Sequence, residues 1–180
     1  RGVERAASDY GGQEYALAMG GNEMPGYHTG PGGYLGYLTG ARHSHLDSAG
    51  YSLDQRAAAT GQALTPEGVV DSLLTEERWR QVLTSLTVCL FARGIYTSEV
   101  VQKALAAVGF DWSAEDLERL GLETLRCKHA FKVREGFELA QLRLPRRIFE
   151  TAAPAGPFDE DFLRQAIAHL EKLQSQPPFE

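Results

Sequence analysis

Two histidines and a cysteine carry the chemistry legible in this sequence. Gly40-Ala41-Arg42-His43-Ser44-His45 places an arginine and two imidazoles within four residues, the densest set of catalytic-type side chains in the chain. On a loop His43 and His45 can both face one site, because a loop does not impose the alternating faces of a strand. A near-neutral pKa suits either ring to proton transfer or to hydrogen bonding with a substrate. A dedicated zinc site is disfavoured, since no cysteine or carboxylate stands at the spacing of a zinc motif. The bland alternative is that Arg42 and both rings only satisfy loop carbonyls. Cys89 lies in Thr84-Ser85-Leu86-Thr87-Val88-Cys89-Leu90-Phe91. Among apolar neighbours on a helix, such a thiol most simply reads as a small buried hydrophobe. The competing reading is a cluster ligand, which needs a thiolate and usually three companions. Cys127, in Leu125-Arg126-Cys127-Lys128-His129, cannot form a compact two-cysteine motif with Cys89 and reads as an incidental thiol. Gly30-Pro31-Gly32-Gly33 lacks the strand, helix and lysine of a phosphate-binding loop and reads as a turn. Arg143, Arg146 and Arg147 read as a salt-bridging surface. Neither Ser44 nor Cys89 sits in a nucleophile-elbow pattern, which weighs against a stand-alone hydrolase.

The elements that must position these groups are helices. The pattern predicts a mainly α fold, an irregular helical domain with a Gly-rich ordered loop region near the N-terminus. Residues 1–150 form the body, loop-rich over 11–64 and helical over 65–150. Residues 151–157 read as a linker, and 158–180 as a terminal helix and tail. From Gly11 to Tyr51 the density of Gly and Pro argues against one long helix, since each Gly costs about 1 kcal/mol and each Pro about 3. That stretch reads as ordered loops with short helical turns. Thr65-Pro66-Glu67 starts a helix that breaks near Leu74-Thr75. A second, over 76–91, carries Trp79, Val82, Leu83, Leu86 and Leu90 as one apolar stripe, with Cys89 beside it. Ser98 caps a helix over 98–108, and Ser113 with Asp116 forms a capping box for one stopped by Gly121. Another covers 122–134. Asp159 caps the last helix, and residues 174–180 read as a frayed tail.

Composition bounds the function classes. At 180 residues, 43% hydrophobic and 23% charged, the chain suits one globular domain. Net charge is −6 and the basic residues are scattered, so a nucleic-acid footprint is not supported. No apolar run approaches the roughly 20 residues of a membrane span. Two cysteines make a disulfide framework improbable and fit a reducing, cytoplasmic setting. The start at Arg1, with neither an initiator Met nor a signal pattern, leads to the expectation of a fragment, an excised piece or a processed product.

Five segments in order resemble the C-terminal portion of the tungsten-containing aldehyde ferredoxin oxidoreductases. Gly21-Asn22-Glu23-Met24-Pro25 is similar to that family's Gly-x-Glu-x-Pro, and Gly40-Ala41-Arg42-His43 to its Gly-Ala-x-His. Leu86-Thr87-Val88-Cys89-Leu90-Phe91-Ala92 falls where the family has a cysteine followed by an aromatic. Phe131-Lys132-Val133-Arg134-Glu135-Gly136 resembles Phe-Asn-x-Arg-Glu-Gly, and Leu144-Pro145-Arg146-Arg147 resembles Leu-Pro-x-Arg. The resemblance implies a helical domain packed against a tungstopterin and a [4Fe-4S] cluster. In such enzymes an aldehyde is oxidised to a carboxylate at tungsten, and electrons leave through the cluster to ferredoxin. Cys89 matches the fourth cluster ligand; the other three come from an earlier domain as Cys-x-x-Cys-x-x-x-Cys, a motif absent from this sequence. His43 matches the histidine near the metal, and His45 falls where some members place a basic pterin contact. The family's pterin-contacting Asp-x-x-Gly-Leu-Cys is matched by Thr84 to Cys89, which makes Thr84 and Val88 cofactor-binding candidates. Thr84 lacks the carboxylate that grips pterin nitrogens, and Lys132 replaces the usual Asn. The partners implied are the N-terminal domains of a parent enzyme and ferredoxin or another electron carrier, and the chain alone is expected to be inactive. The alternative is a cofactor-free helical interaction or scaffold module derived from the same fold.

Overall fold

The computed structural model describes residues 2–19 and 21–175. In chain order the helices are α1 (Gly2–Tyr10), α2 (Pro31–Thr39), α3 (His45–Ser48), α4 (Gly50–Thr60), α5 (Pro66–Ser85), α6 (Ser98–Ala106), α7 (Ala114–Arg134) and α8 (Glu160–Gln174). Two two-residue strands, β1 (Ala18–Met19) and β2 (Asn22–Glu23), pair antiparallel. The fold is mainly α, as the pattern predicts.

α5 is the central element. Thr65 caps its N-terminus by accepting the Gly68 N–H, and Pro66 stands at its first position. It runs unbroken through Leu74 and Thr75, contrary to the expected break, because Val69, Val70, Leu73 and Leu74 are all buried and no Gly or Pro interrupts them. It packs against α2, α3, α7 and α8. The main core joins Tyr34, Leu35 and Leu38 of α2 to those four residues, to Leu125 of α7, and to Leu163, Ala166, Ile167 and Leu170 of α8. A smaller core joins Val82 and Leu83 to Val101 of α6 and Leu117 of α7.

The Gly-rich stretch is more helical than propensity predicts. α2 forms although it contains Gly32, Gly33 and Gly36, because glycine there lets side chains and main chain of α3 and α4 come close. A Cβ on Gly50 would lie 1.8 Å from the Gly32 carbonyl oxygen, and one on Gly36 would lie 2.7 Å from Ser48 Oγ. Close approach of α2 to α4 offsets the entropy that glycine loses in a helix. Asp54 of α4 accepts the Gly32 and Gly33 N–H groups at 2.9 and 2.8 Å, which caps α2 from the neighbouring helix.

Gly121, expected to stop a helix, lies inside α7 instead. A Cβ there would meet the Arg78 carbonyl oxygen of α5 at 2.4 Å, so this glycine marks the crossing of the two long helices. The expected helices over 113–121 and 122–134 are therefore one. Thr97, rather than Ser98, caps α6. Asp159 caps α8 as expected, its side chain accepting the Phe162 N–H at 2.9 Å. The segment 151–157 folds back on the body, where the Ala155 N–H donates to the Thr29 carbonyl. The tail expected over 174–180 falls, beyond Ser175, outside the described residues.

Candidate functional site

His43 is fixed at four points. It is 8% exposed and has φ +51, a left-handed conformation uncommon for any residue with a side chain. Its backbone N–H donates to the Gly40 carbonyl, and its carbonyl accepts from Asn22 Nδ2 at 2.8 Å. Its ring Nδ1 lies 2.9 Å from the Tyr37 carbonyl, in the last turn of α2. A carbonyl only accepts, so the ring carries a proton on Nδ1, and in the neutral form Nε2 keeps its lone pair. The Phe137 ring packs edge-on against the imidazole at 5.3 Å. Burial, and then the Lys132 ammonium, lower the His43 pKa and favour that neutral form.

The peptide joining Gly40 to Ala41 is the pivot of this turn. Its carbonyl accepts from Lys132 Nζ at 3.0 Å as well as from the His43 N–H, and its N–H donates to Glu77 Oε1 at 2.7 Å. Glu77 lies on α5, is 3% exposed, and burial pushes its carboxyl up to about 7. Lys132 lies on α7, where burial pulls its ammonium down to about 8. Around the turn, buried Asp47 of α3 accepts the Arg42 and Ser44 N–H groups and the Arg42 guanidinium. Only glycine fits at position 40, where a Cβ would lie 2.5 Å from the Gly36 carbonyl oxygen.

Local sequence explains why Phe137 and Lys132 reach His43. At the end of α7 the Phe137 N–H donates to the Lys132 carbonyl and the Gly136 N–H to the Val133 carbonyl, with Gly136 at φ +92. This is a Schellman stop, which turns the chain back over the last helical turn. Lys132 Nζ then sits 3.7 Å from the centre of the Phe137 ring.

His45, at the start of α3, is boxed by Tyr27, Tyr37 and Tyr51 at ring separations of 5.6, 6.3 and 6.2 Å, and its Nδ1 is buried without a hydrogen-bond partner. Contrary to the bland expectation, none of the three side chains takes a loop carbonyl among the described residues: His43 meets the helical Tyr37 carbonyl, Arg42 donates to Asp47, and His45 Nδ1 has no hydrogen-bond partner. Arg80 of α5 donates to the Leu46 carbonyl at 2.6 Å and so ties this loop to α5 one turn before Thr84.

α5 ends in the same kind of stop, which corrects the expected helix over 76–91. The Val88 N–H donates to the Leu83 carbonyl and the Thr87 N–H to the Thr84 carbonyl, with Thr87 at φ +56. Thr87 takes the left-handed position where the matching motif carries Gly. Val88 is partly buried against the smaller core. Thr84 and Cys89 are exposed, and Cys89 is a free thiol preceding a short 3-10 turn rather than a buried helical residue. Cys127 is exposed on α7, and nothing places it with Cys89. Glu77, Lys132 and Phe137 were not among the expected site residues. The available signal was an acid at a core-facing position of the α5 stripe.

Among the described residues no group of three or more His, Cys, Asp or Glu side chains could hold a metal ion. No helix among them is long and apolar enough to cross a membrane. A mainly helical body with a buried histidine turn after α2 and an exposed free thiol after α5 defines the class, an α domain with separate candidate sites. The particular class follows from comparison: the family model described as aldehyde ferredoxin oxidoreductase, domains 2 and 3, matches residues 1–174, and the chain belongs to that family. The tungsten-containing aldehyde ferredoxin oxidoreductase of Pyrococcus abyssi is 28% identical over 87% of this chain and 27% of its own length. Those of Pyrococcus furiosus and Thermococcus kodakarensis are 28% and 26% identical over the same shares. The chain thus spans about a quarter of the length of these relatives. No solved structure matches.

The residues fit the family's cofactors unevenly. An exposed thiol at the end of a tight stop fits one ligand of a cluster whose other ligands lie elsewhere. Thr84 offers a hydroxyl where a carboxylate would pair with pterin nitrogens, a weaker fit.

Proposed function

We propose that this chain is the cofactor-facing helical part of a tungstopterin oxidoreductase, acting on an aldehyde or a related carbonyl substrate and passing electrons to ferredoxin or a similar carrier in the cytoplasm. The observation that supports this most is the left-handed Thr87, which keeps a glycine-type stop two residues before an exposed cysteine. When bound, a tungstopterin would supply two-electron oxidation of the substrate carbon, and a [4Fe-4S] cluster one-electron exit. Cys89 would hold the cluster as its fourth thiolate. His45, Thr84 and the Val88 backbone would contact the pterin. His43 would take a proton at Nε2, because Nδ1 is committed to the Tyr37 carbonyl and burial keeps the ring neutral. The N-terminal domains of the parent would complete the site.

The test uses the parent protein, reconstituted anaerobically. Cys89→Ala is expected to lose most of the cluster's iron and its reduced-state EPR signal, and undiminished cluster content sinks the ligand assignment. His43→Gln is expected to lower kcat by about 10²–10⁴ with cofactor content intact. A second reading, a scaffold that has lost its cofactor, is favoured by the missing carboxylate at Thr84. It predicts neither tungsten, molybdenum nor iron in the intact parent.

A further inference from the structure

Beneath the His43 turn, a buried acid from one long helix and a lysine from the other grip the two polar ends of a single peptide. We propose that Glu77 and Lys132 are positioning residues that clamp the Gly40–Ala41 peptide and thereby fix the orientation and tautomer of His43. The inference rests on the reading of His43 as the proton-handling residue, but its geometry stands apart from that reading. Glu77 Oε1 takes the Ala41 N–H at 2.7 Å, and Lys132 Nζ donates at 3.0 Å to the Gly40 carbonyl, which also holds the His43 N–H. Rotation of this peptide would release both grips and the His43 amide together. It would also free the left-handed residue His43, whose conformation persists only where its surroundings over-determine it.

Lys132 acts by a second route. It lies over the Phe137 face, and the Phe137 ring packs edge-on against the imidazole. A neutral side chain at position 132 would lose both the donor to Gly40 and the cation over Phe137. The charged groups facing His43 are Lys132 of α7 and Asp47 of α3; His129 of α7 lies near and is kept neutral by burial. α2 contributes the Tyr37 carbonyl rather than a charge. Glu77 in turn faces Asp47 of α3 and Lys128 and Lys132 of α7.

The experiment is ¹⁵N-detected imidazole NMR of the full 180-residue chain, with folding checked by circular dichroism. Wild type is expected to show neutral His43 with its proton on Nδ1. Lys132→Met is expected to raise the His43 pKa by about half a unit or more, because a neighbouring cation is removed, and Lys132→Arg to restore the wild-type value. Glu77→Gln, whose amide oxygen still accepts from Ala41, is expected to keep the wild-type tautomer. Glu77→Met is expected to give a mixture of tautomers. If Glu77→Met does not fold, Lys132→Met and its Arg rescue decide the matter. A folded Lys132→Met or Glu77→Met variant with wild-type tautomer and pKa overturns the proposal. These readouts need no cofactor and no turnover, so they separate failure of the clamp from failure of His43 as the proton-handling residue. In the reconstituted parent, a positioning role moves the acid limb of the kcat/KM pH profile to higher pH in Lys132→Met, whereas a purely structural role lowers the profile without moving it.

Discussion

Thr87 holds a backbone conformation that glycine adopts freely and that crowds a β-branched side chain. Thr87→Gly should therefore stabilise the fold by about 1 kcal/mol, the left-handed strain outweighing the extra freedom glycine gains when unfolded. Chemical denaturation measures this, and a destabilised variant would show that Thr87 is not strained. Glu77 gives a prediction that depends on pH. Burial raises its folded pKa from 4.5 to about 7, so its protonated form favours folding. That contribution is complete below about pH 4.5 and is lost as pH rises through about 7. Glu77→Gln cannot ionise, so it should match wild type near pH 4 and exceed it above pH 7, by about 3 kcal/mol at most. Equal differences in thermal stability at both pH values would contradict the buried carboxyl. His43 and Cys89 stand out as candidates in the sequence because histidine pairs and motif cysteines advertise chemistry by type. Glu77 was not, since one acid in an apolar stripe shows its purpose only when another element brings it a backbone N–H. That Cys89 is exposed was equally hidden, because apolar neighbours in sequence do not reveal where a helix stops.

Capping residues made most helix starts readable: Thr65, Ser113 and Asp159 each accept an N–H from the first turn. Glycines misled, because the same residue ends a helix or lets two helices touch, and only the partner helix distinguishes the roles. Gly136 ends α7, whereas Gly121 lies within it against the Arg78 carbonyl. Gly121→Ala separates these effects by sign. Helix propensity alone predicts a gain of about 1 kcal/mol, whereas the α5–α7 crossing predicts a loss of about 1–3 kcal/mol through overpacking. Denaturant midpoints should fall, and a rise would refute the crossing as the reason for this glycine. The two long helices also end alike, and each stop delivers a candidate group: Phe137 after α7 and Cys89 after α5.

At the scale of the whole molecule, α8 belongs to the main core, where Leu163 and Ala166 are wholly buried against α2 and α5. A chain ending at residue 150 should therefore lose cooperative unfolding and bind hydrophobic dye, and a sharp thermal transition in it would show that the body folds without α8. The terminal helix was legible as a helix but not as a core element, because the Ala- and Pro-rich 151–157 resembles a linker in composition. Near Cys89, Phe91 and Ile95 are 92% and 69% exposed, so the thiol lies in a partly apolar surface.

The contact of α2 with α4 through Gly32 and Gly50 bears on how such a domain can diversify. Where two helices meet main chain to main chain, the alphabet available to selection shrinks to one letter. Change in this part of the fold must therefore be written on the outward side of the same helices, while the line where α2 meets α4 stays closed to revision.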